Sequence, residues 1–195
     1  MSAFDYAKDV YASLGVDVEK AMERLADIPV SIHCWQGDDV SGFENSGELS
    51  GGIAVTGNYP GRARTPQELR ADLDFAFSLI PGTRRLNLHA LYAECGDKKT
   101  ARNELDVSCF SNWLDWAEEK DIALDFNPSY FSHPMAEKGT LASADPAVRK
   151  FWVEHGIACR RIAEEFGKRL EKTCVTNHWC PDGSKDTPFD RLAMR

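Results

Sequence analysis

The sequence predicts a parallel α/β fold, the N-terminal half of a (β/α)8 barrel, and three observations lead there. Four short β-branched or alternating runs recur along the chain, each bounded by Pro, Gly or a helix-start signal. Helical patterns of three- and four-residue spacing stand between successive runs. No G-x-G-x-x-G or G-x-x-x-x-G-K-[ST] follows the first run, which removes the commonest nucleotide-binding open sheets. Strands that alternate with single helices pair in parallel through right-handed crossovers. A barrel needs eight such units over about 250 residues, and these 195 residues hold four. Residues 1–195 are therefore expected to be an incomplete barrel domain, with a C-terminal half missing from the sequence.

The elements follow in order. Tyr6, Val10 and Leu14 place a helix over 4–14, stopped by Gly15. Asp17 caps a second helix that runs through Met22 and Leu25 to Ile28, so residues 1–28 form N-terminal helices. Residues 29–35 are short and β-branched, the first strand. The stretch 36–64 holds seven glycines and no sustained period. Structureless loops longer than about 12–15 residues usually have a job or are disordered. Phe43, Leu49, Ile53, Val55 and Tyr59 make this one too apolar for a plain linker, so a lid is expected. Thr65, Pro66 and Glu68 open a helix with Leu69, Leu73, Phe77 and Ile80 on one face. Residues 85–91 alternate as the second strand. A helix over 106–120 precedes the third strand at 122–128. Asp145-Pro146 starts a long helix to about Leu170, with Trp152, His155, Cys159, Ile162 and Phe166 on its buried stripe. Residues 173–179 are the fourth strand, and 180–195 read as loop.

Composition narrows the partners. The net charge of −8 and the lack of any basic run argue against a nucleic-acid surface. Nothing approaches the 18 or so consecutive apolar residues of a membrane span. The polar N-terminus lacks a signal-peptide core, so a cytoplasmic protein is expected. The six cysteines form no C-x-x-C pair and do not suggest a disulfide framework. Most are expected to be buried thiols that act as small hydrophobes.

A barrel assembles its site at the C-terminal strand ends. Here those ends carry His33-Cys34-Trp35, His89 with Tyr92, Asn127 through Phe131 to His133, and Asn177-His178-Trp179. Four of the five histidines therefore fall at one face. Each has a structural reading beside the functional one. Trp35 and Trp179 are core caps or a ligand wall. His33, His133 and His178 are backbone-bonded or ligand-facing, and His89 is a satisfied core histidine or a ligand group. Asp38-Asp39 is read as a solvated turn. Aromatic faces suit the C–H faces of a sugar ring, and His and Asn suit its hydroxyls. No nucleophilic triad is visible. Strand-end carboxylates are too few for this half alone to hold a divalent metal.

The strings His33-Cys-Trp-Gln-Gly-Asp-Asp-Val-Ser-Gly-Phe-Glu44, Gly51-Gly-Ile, Thr56-Gly-Asn-Tyr-Pro-Gly61, Leu86-Asn-Leu-His89, Leu124-Asp-Phe-Asn-Pro128 and Phe131-Ser-His-Pro134 resemble the L-rhamnose isomerases. The likeness is collinear from about residue 10 onward. The Phe-Ser-His-Pro run and the Trp179 strand also resemble xylose isomerases. The resemblance implies a homotetrameric (β/α)8 enzyme that interconverts L-rhamnose and L-rhamnulose with two divalent ions, typically Mn2+. It implies that His89 lies near the sugar ring oxygen as the catalytic candidate. Trp35, Tyr92, Phe131 and Trp179 would form the substrate-binding apolar wall. Residues 36–64 would be a lid over a neighbouring subunit's site, with Ile53 its apolar contact. The family's metal ligands and catalytic lysine come from the other half of its barrel, so no metal ligand is assigned here. The 195-residue chain alone is expected to be inactive and poorly soluble. Two alternatives stand beside this: a non-catalytic sugar-binding half-barrel, and an isomerase or epimerase of another aldose.

Overall fold

Side-chain caps set where the helices begin. The computed structural model describes residues 1–34, 42–44, 62–96 and 98–183. Ser2 accepts the Asp5 N–H and Asp5 answers the Ser2 N–H, a capping box that starts α1 (Ala3–Ser13). Asp17 takes the Lys20 N–H at the head of α2 (Val18–Ala26). Thr65 and Pro66 open α3 (Pro66–Ser78). Within the stretch expected as one helix over 106–120, a 3₁₀ turn at Val107–Phe110 leads into α4 (Ser111–Glu119). Asp145 and Pro146 start α5 (Pro146–Leu170), which ends on Glu171 in the left-handed region at φ 52°.

Three parallel strands, β1 (Val30–His33), β2 (Arg84–His89) and β3 (Ala123–Asn127), lie side by side in chain order. Ile32 stands beside Leu86 and Leu86 beside Leu124; His33 stands beside Asn87 and Asn87 beside Asp125; His89 stands beside Asn127. Side chains alternate between faces along a strand, so this register separates two chemistries. Leu86, Leu88, Leu124 and Phe126 join the core beneath the helices, with Phe77, Phe110, Trp113, Ile162 and Phe166. Ser31, His33, Arg85, Asn87, His89, Asp125 and Asn127 line the other face. Parallel sheets covered on both sides usually read as continuous apolar runs. A second face that is polar apart from Ala123 is the departure that locates the site.

The expected fourth strand is corrected. Residues 173–179 run parallel beside β3 but meet it only at isolated bridges, Phe126 with Thr176 and Ser129 with Trp179. The Phe126 N–H donates to the Val175 carbonyl at 2.9 Å, and the Asn177 N–H donates to the Phe126 carbonyl at 3.1 Å. The Val175 N–H goes to the Asp125 carboxylate at 2.8 Å, so a side chain takes a donor that a continuous ladder would use. The cysteine expectation is also corrected: Cys95 and Cys109 form a disulfide, while Cys34, Cys159, Cys174 and Cys180 are free thiols. The N-terminal helices form as expected, yet neither buries a residue, and Leu14 and Leu25 stay exposed. No described helix is long and apolar enough to cross a membrane.

Candidate functional site

β2 ends on His89, and the chain then tightens into a 3₁₀ turn at Ala90–Tyr92. β3 ends on Asn127, and Pro128 turns the chain toward Phe131. Pairing of His89 with Asn127 brings their side chains together. The Asn127 Nδ2 lies 2.9 Å from His89 Nε2. With the amide nitrogen as donor, Nε2 is the acceptor and the ring proton sits on Nδ1. The His33 and Phe131 rings flank His89, each 6.3 Å away between centroids. Among the described residues, His89 Nδ1 and Asn127 Oδ1 are buried without a hydrogen-bond partner, as are Asn87 Oδ1 and Ser129 Oγ. Buried polar groups are nearly always satisfied, so these unmet atoms along β2 and the end of β3 make this face a candidate place for a polar ligand. Burial, with the nearby His33 second, pushes the His89 imidazole down to about 3, so it is neutral at pH 7 and carries its proton on an unpartnered Nδ1.

Deeper on the same face, Asp125 ties the sheet together. Its carboxylate accepts from Arg85 Nε at 2.9 Å, Ser31 Oγ at 2.7 Å and the Val175 N–H at 2.8 Å. Arg85 Nη2 also donates to Asp125 and to the Thr173 carbonyl. Burial pushes the Asp125 carboxyl up, but Arg85, the Val175 N–H and the Ser31 hydroxyl together hold it below the usual carboxylate value. An open groove of about 520 Å³ runs over this layer, lined by Ser31, Arg85, Asn87, Asp125, Thr176 and Asn177.

The residues singled out in the sequence fall in different places. His89 and Phe131 come together at the strand ends. Tyr92 is fully buried in the core, its ring edge-on to Phe43 at 5.2 Å and to Trp113 at 6.5 Å. It supports the rim from beneath. Trp179 sits at the same end of the sheet through its bridge to Ser129, with nearly half its surface exposed. Trp35 and Ile53 lie outside the described residues, as does most of the 36–64 stretch expected to be a lid. His33 joins His89. His133 and His178 belong to a second group, stacked on Phe151 and bonded to the Tyr130 hydroxyl at 3.1 Å respectively. His155 is buried with Nδ1 donating to the Arg102 carbonyl at 2.9 Å, a structural histidine.

Sequence reasoning missed two contributors. Asn127 was visible as a strand-end amide, but its role depends on the β2–β3 register. Arg102 had no signal, because its partners are 27 to 58 residues distant in sequence. Among the described residues no three His, Cys, Asp or Glu side chains come together as a metal site. Asp125 is committed to Arg85 and Glu44 to Arg102. The described residues therefore do not fit the pair of divalent ions that the resemblance implies.

A parallel α/β sheet with a polar and aromatic group at its C-terminal strand ends defines a protein of the α/β class with a candidate ligand site. The comparisons go further. The family model for L-rhamnose isomerase (RhaA) matches residues 1–195, and this chain belongs to that family. It is 55% identical over 195 residues to the L-rhamnose isomerase of Rhodopirellula baltica, covering 99% of this chain and 45% of the relative. It is 57% identical over 194 residues to that of Mannheimia succiniciproducens, covering 99% and 46%. It is 56% identical over 195 residues to that of Cronobacter sakazakii, again covering 99% and 46%. The chain thus spans about half the length of the curated relatives it matches.

Proposed function

We propose that this chain forms the sugar-ring side of an aldose–ketose isomerase site that interconverts L-rhamnose and L-rhamnulose in the full-length protein. The observation that carries this reading is the His33–His89–Asn127–Phe131 group at the strand ends of a chain in this family. A neutral His89 with its proton on Nδ1 is a donor for a sugar ring oxygen. A hydrogen bond from Nδ1 to that oxygen would assist ring opening, in which the bond from C1 to the ring oxygen breaks, the anomeric hydroxyl gives up its proton and the ring oxygen gains one, leaving the open aldehyde. Phe131 and Trp179, with Trp35, offer apolar faces to the sugar's C–H bonds. Burying such a face contributes roughly 25 cal/mol per Å² of apolar area. Tyr92 holds the rim in place from the core.

The wider reading is a whole (β/α)8 barrel, cytoplasmic and homotetrameric, with Ile53 on a lid that reaches a neighbouring site. Two Mn2+ ions would supply Lewis-acid chemistry at the substrate oxygens. Their ligands would come from outside this chain, and the 195-residue chain alone would turn over no sugar. An isomerase assay of the full-length protein with L-rhamnose tests the proposal. Formation of L-rhamnulose supports it. Binding without turnover would favour a non-catalytic sugar-binding protein, and preference for another aldose would reassign the substrate.

A further inference from the structure

Arg102 is almost wholly buried on the 3₁₀ turn Arg102–Glu104. A buried guanidinium is costly unless its charge and all five N–H groups are met. Here they are. Nε and Nη2 grip the Glu44 carboxylate at 2.9 and 2.7 Å. Nη1 donates to the carbonyls of Ser129 at 2.8 Å and Phe131 at 2.6 Å. Nη2 also donates to the Ser132 carbonyl at 2.9 Å. Ser132 holds a φ of 52°, a left-handed conformation that costs a non-glycine residue free energy. One side chain thus fixes the carbonyls on either side of the Phe131 ring that faces His89.

The Glu44 arm reaches a second docked segment. Gly42 lies at φ 68°, and a Cβ there would come within 2.5 Å of the Leu91 Cβ and 2.6 Å of its carbonyl oxygen. The Phe43 N–H donates to that carbonyl at 2.9 Å, and the Phe43 ring meets Tyr92. Residues 42–44 are therefore seated on the turn that follows His89.

We propose that Arg102 is a positioning residue for the sugar site: it sets Phe131 against His89 and, through Glu44, locks residues 42–44 to the same rim. The proposal rests on the sugar-site reading above. Its test uses the full-length protein with Arg102→Met, Arg102→Lys and Glu44→Gln. Arg102→Met should raise KM for L-rhamnose about tenfold while kcat falls less than about threefold. Arg102→Lys should recover part of the KM. Glu44→Gln keeps the carbonyl contacts, so it should raise KM less and speed chymotrypsin cleavage after Phe43. A merely structural role would lower the active fraction and leave KM alone. The His89 ring resonances by NMR judge Arg102 without activity, and they should shift in Arg102→Met. Unchanged KM, or unmoved His89 resonances, would overturn the proposal. If Arg102→Met fails to fold, Glu44→Gln decides, and wild-type cleavage and KM in that variant would overturn it. A wild type that turns over no L-rhamnose sinks the proposed function, while the NMR arm still decides the positioning role.

Discussion

Replacing Asp125 with alanine should be among the most damaging single changes in this chain. The carboxylate is nearly buried, as is the Arg85 guanidinium it pairs with. It accepts from partners on β1, β2 and the segment after α5. An exposed ion pair would contribute about 0–1 kcal/mol. Removal of one partner from a buried pair costs about 3–5 kcal/mol, because the other charge is left without compensation. The Ser31 hydroxyl and the Val175 N–H lose their acceptor as well. Urea unfolding followed by tryptophan fluorescence reads the loss. With a slope near 2 kcal/mol/M, a loss of about 3 kcal/mol lowers the midpoint by about 1.5 M. The pH dependence has a definite sign. The folded carboxyl titrates below its unfolded value, so its contribution is present above that unfolded value, near 4, and fades as pH falls through the folded value. The gap between wild type and Asp125→Asn should therefore close in acid. A loss below about 1 kcal/mol for Asp125→Ala, or a gap that persists in acid, would refute the reasoning.

Three further outcomes follow from single sites. Gly156→Ala places a Cβ within 2.7 Å of the Tyr130 hydroxyl. It should cost about 1–3 kcal/mol, and much less in a Tyr130→Phe background; equal costs in both backgrounds would show that the hydroxyl is not the obstacle. Reduction of the Cys95–Cys109 bridge, or Cys95→Ser, opens a loop with a sequence separation of 14. That should lower stability by about 3 kcal/mol, read as a dithiothreitol-dependent fall in Tm that Cys95→Ser abolishes. His89 titrates near 3 when folded against an ordinary value of 6.5, so the unfolded chain takes up the proton first as pH drops. Its contribution is complete above about 6.5 and should fall by about 2 kcal/mol at pH 5; His89→Gln should flatten that slope, and an unchanged slope would place the titration elsewhere.

Much of the fold was legible because local signals agreed with tertiary demand. Asp145 and Pro146 cap a stripe that the core accepts, and α5 runs from Pro146 to Leu170 as its pattern requires. The alternation in residues 85–91 marked a strand, and β2 forms over Arg84–His89 with its apolar and polar side chains on opposite faces. Residues 173–179 carried the same local signal without forming a full strand, because Asp125 takes the Val175 N–H. The disulfide had no motif, since Cys95 and Cys109 meet only through the packing of the segment after β2 on the 3₁₀ turn Val107–Phe110. His89 and Phe131 could be placed at strand ends from spacing alone. That they touch, that Asn127 sets the His89 tautomer and that Arg102 holds Phe131 depend on the register of β2 on β3 and on backbone carbonyls, which carry no residue-level signature.

The role of His89 is tested most directly by the conversion of L-rhamnose to L-rhamnulose in the full-length protein, wild type beside His89→Asn, with Mn2+ supplied. If the Nδ1 proton assists ring opening, the substitution should lower kcat/KM by about 100-fold, the scale of a lost acid–base group, with the fold intact. A His89→Asn protein that converts L-rhamnose as fast as wild type would contradict the assignment of the strand-end group to the sugar ring.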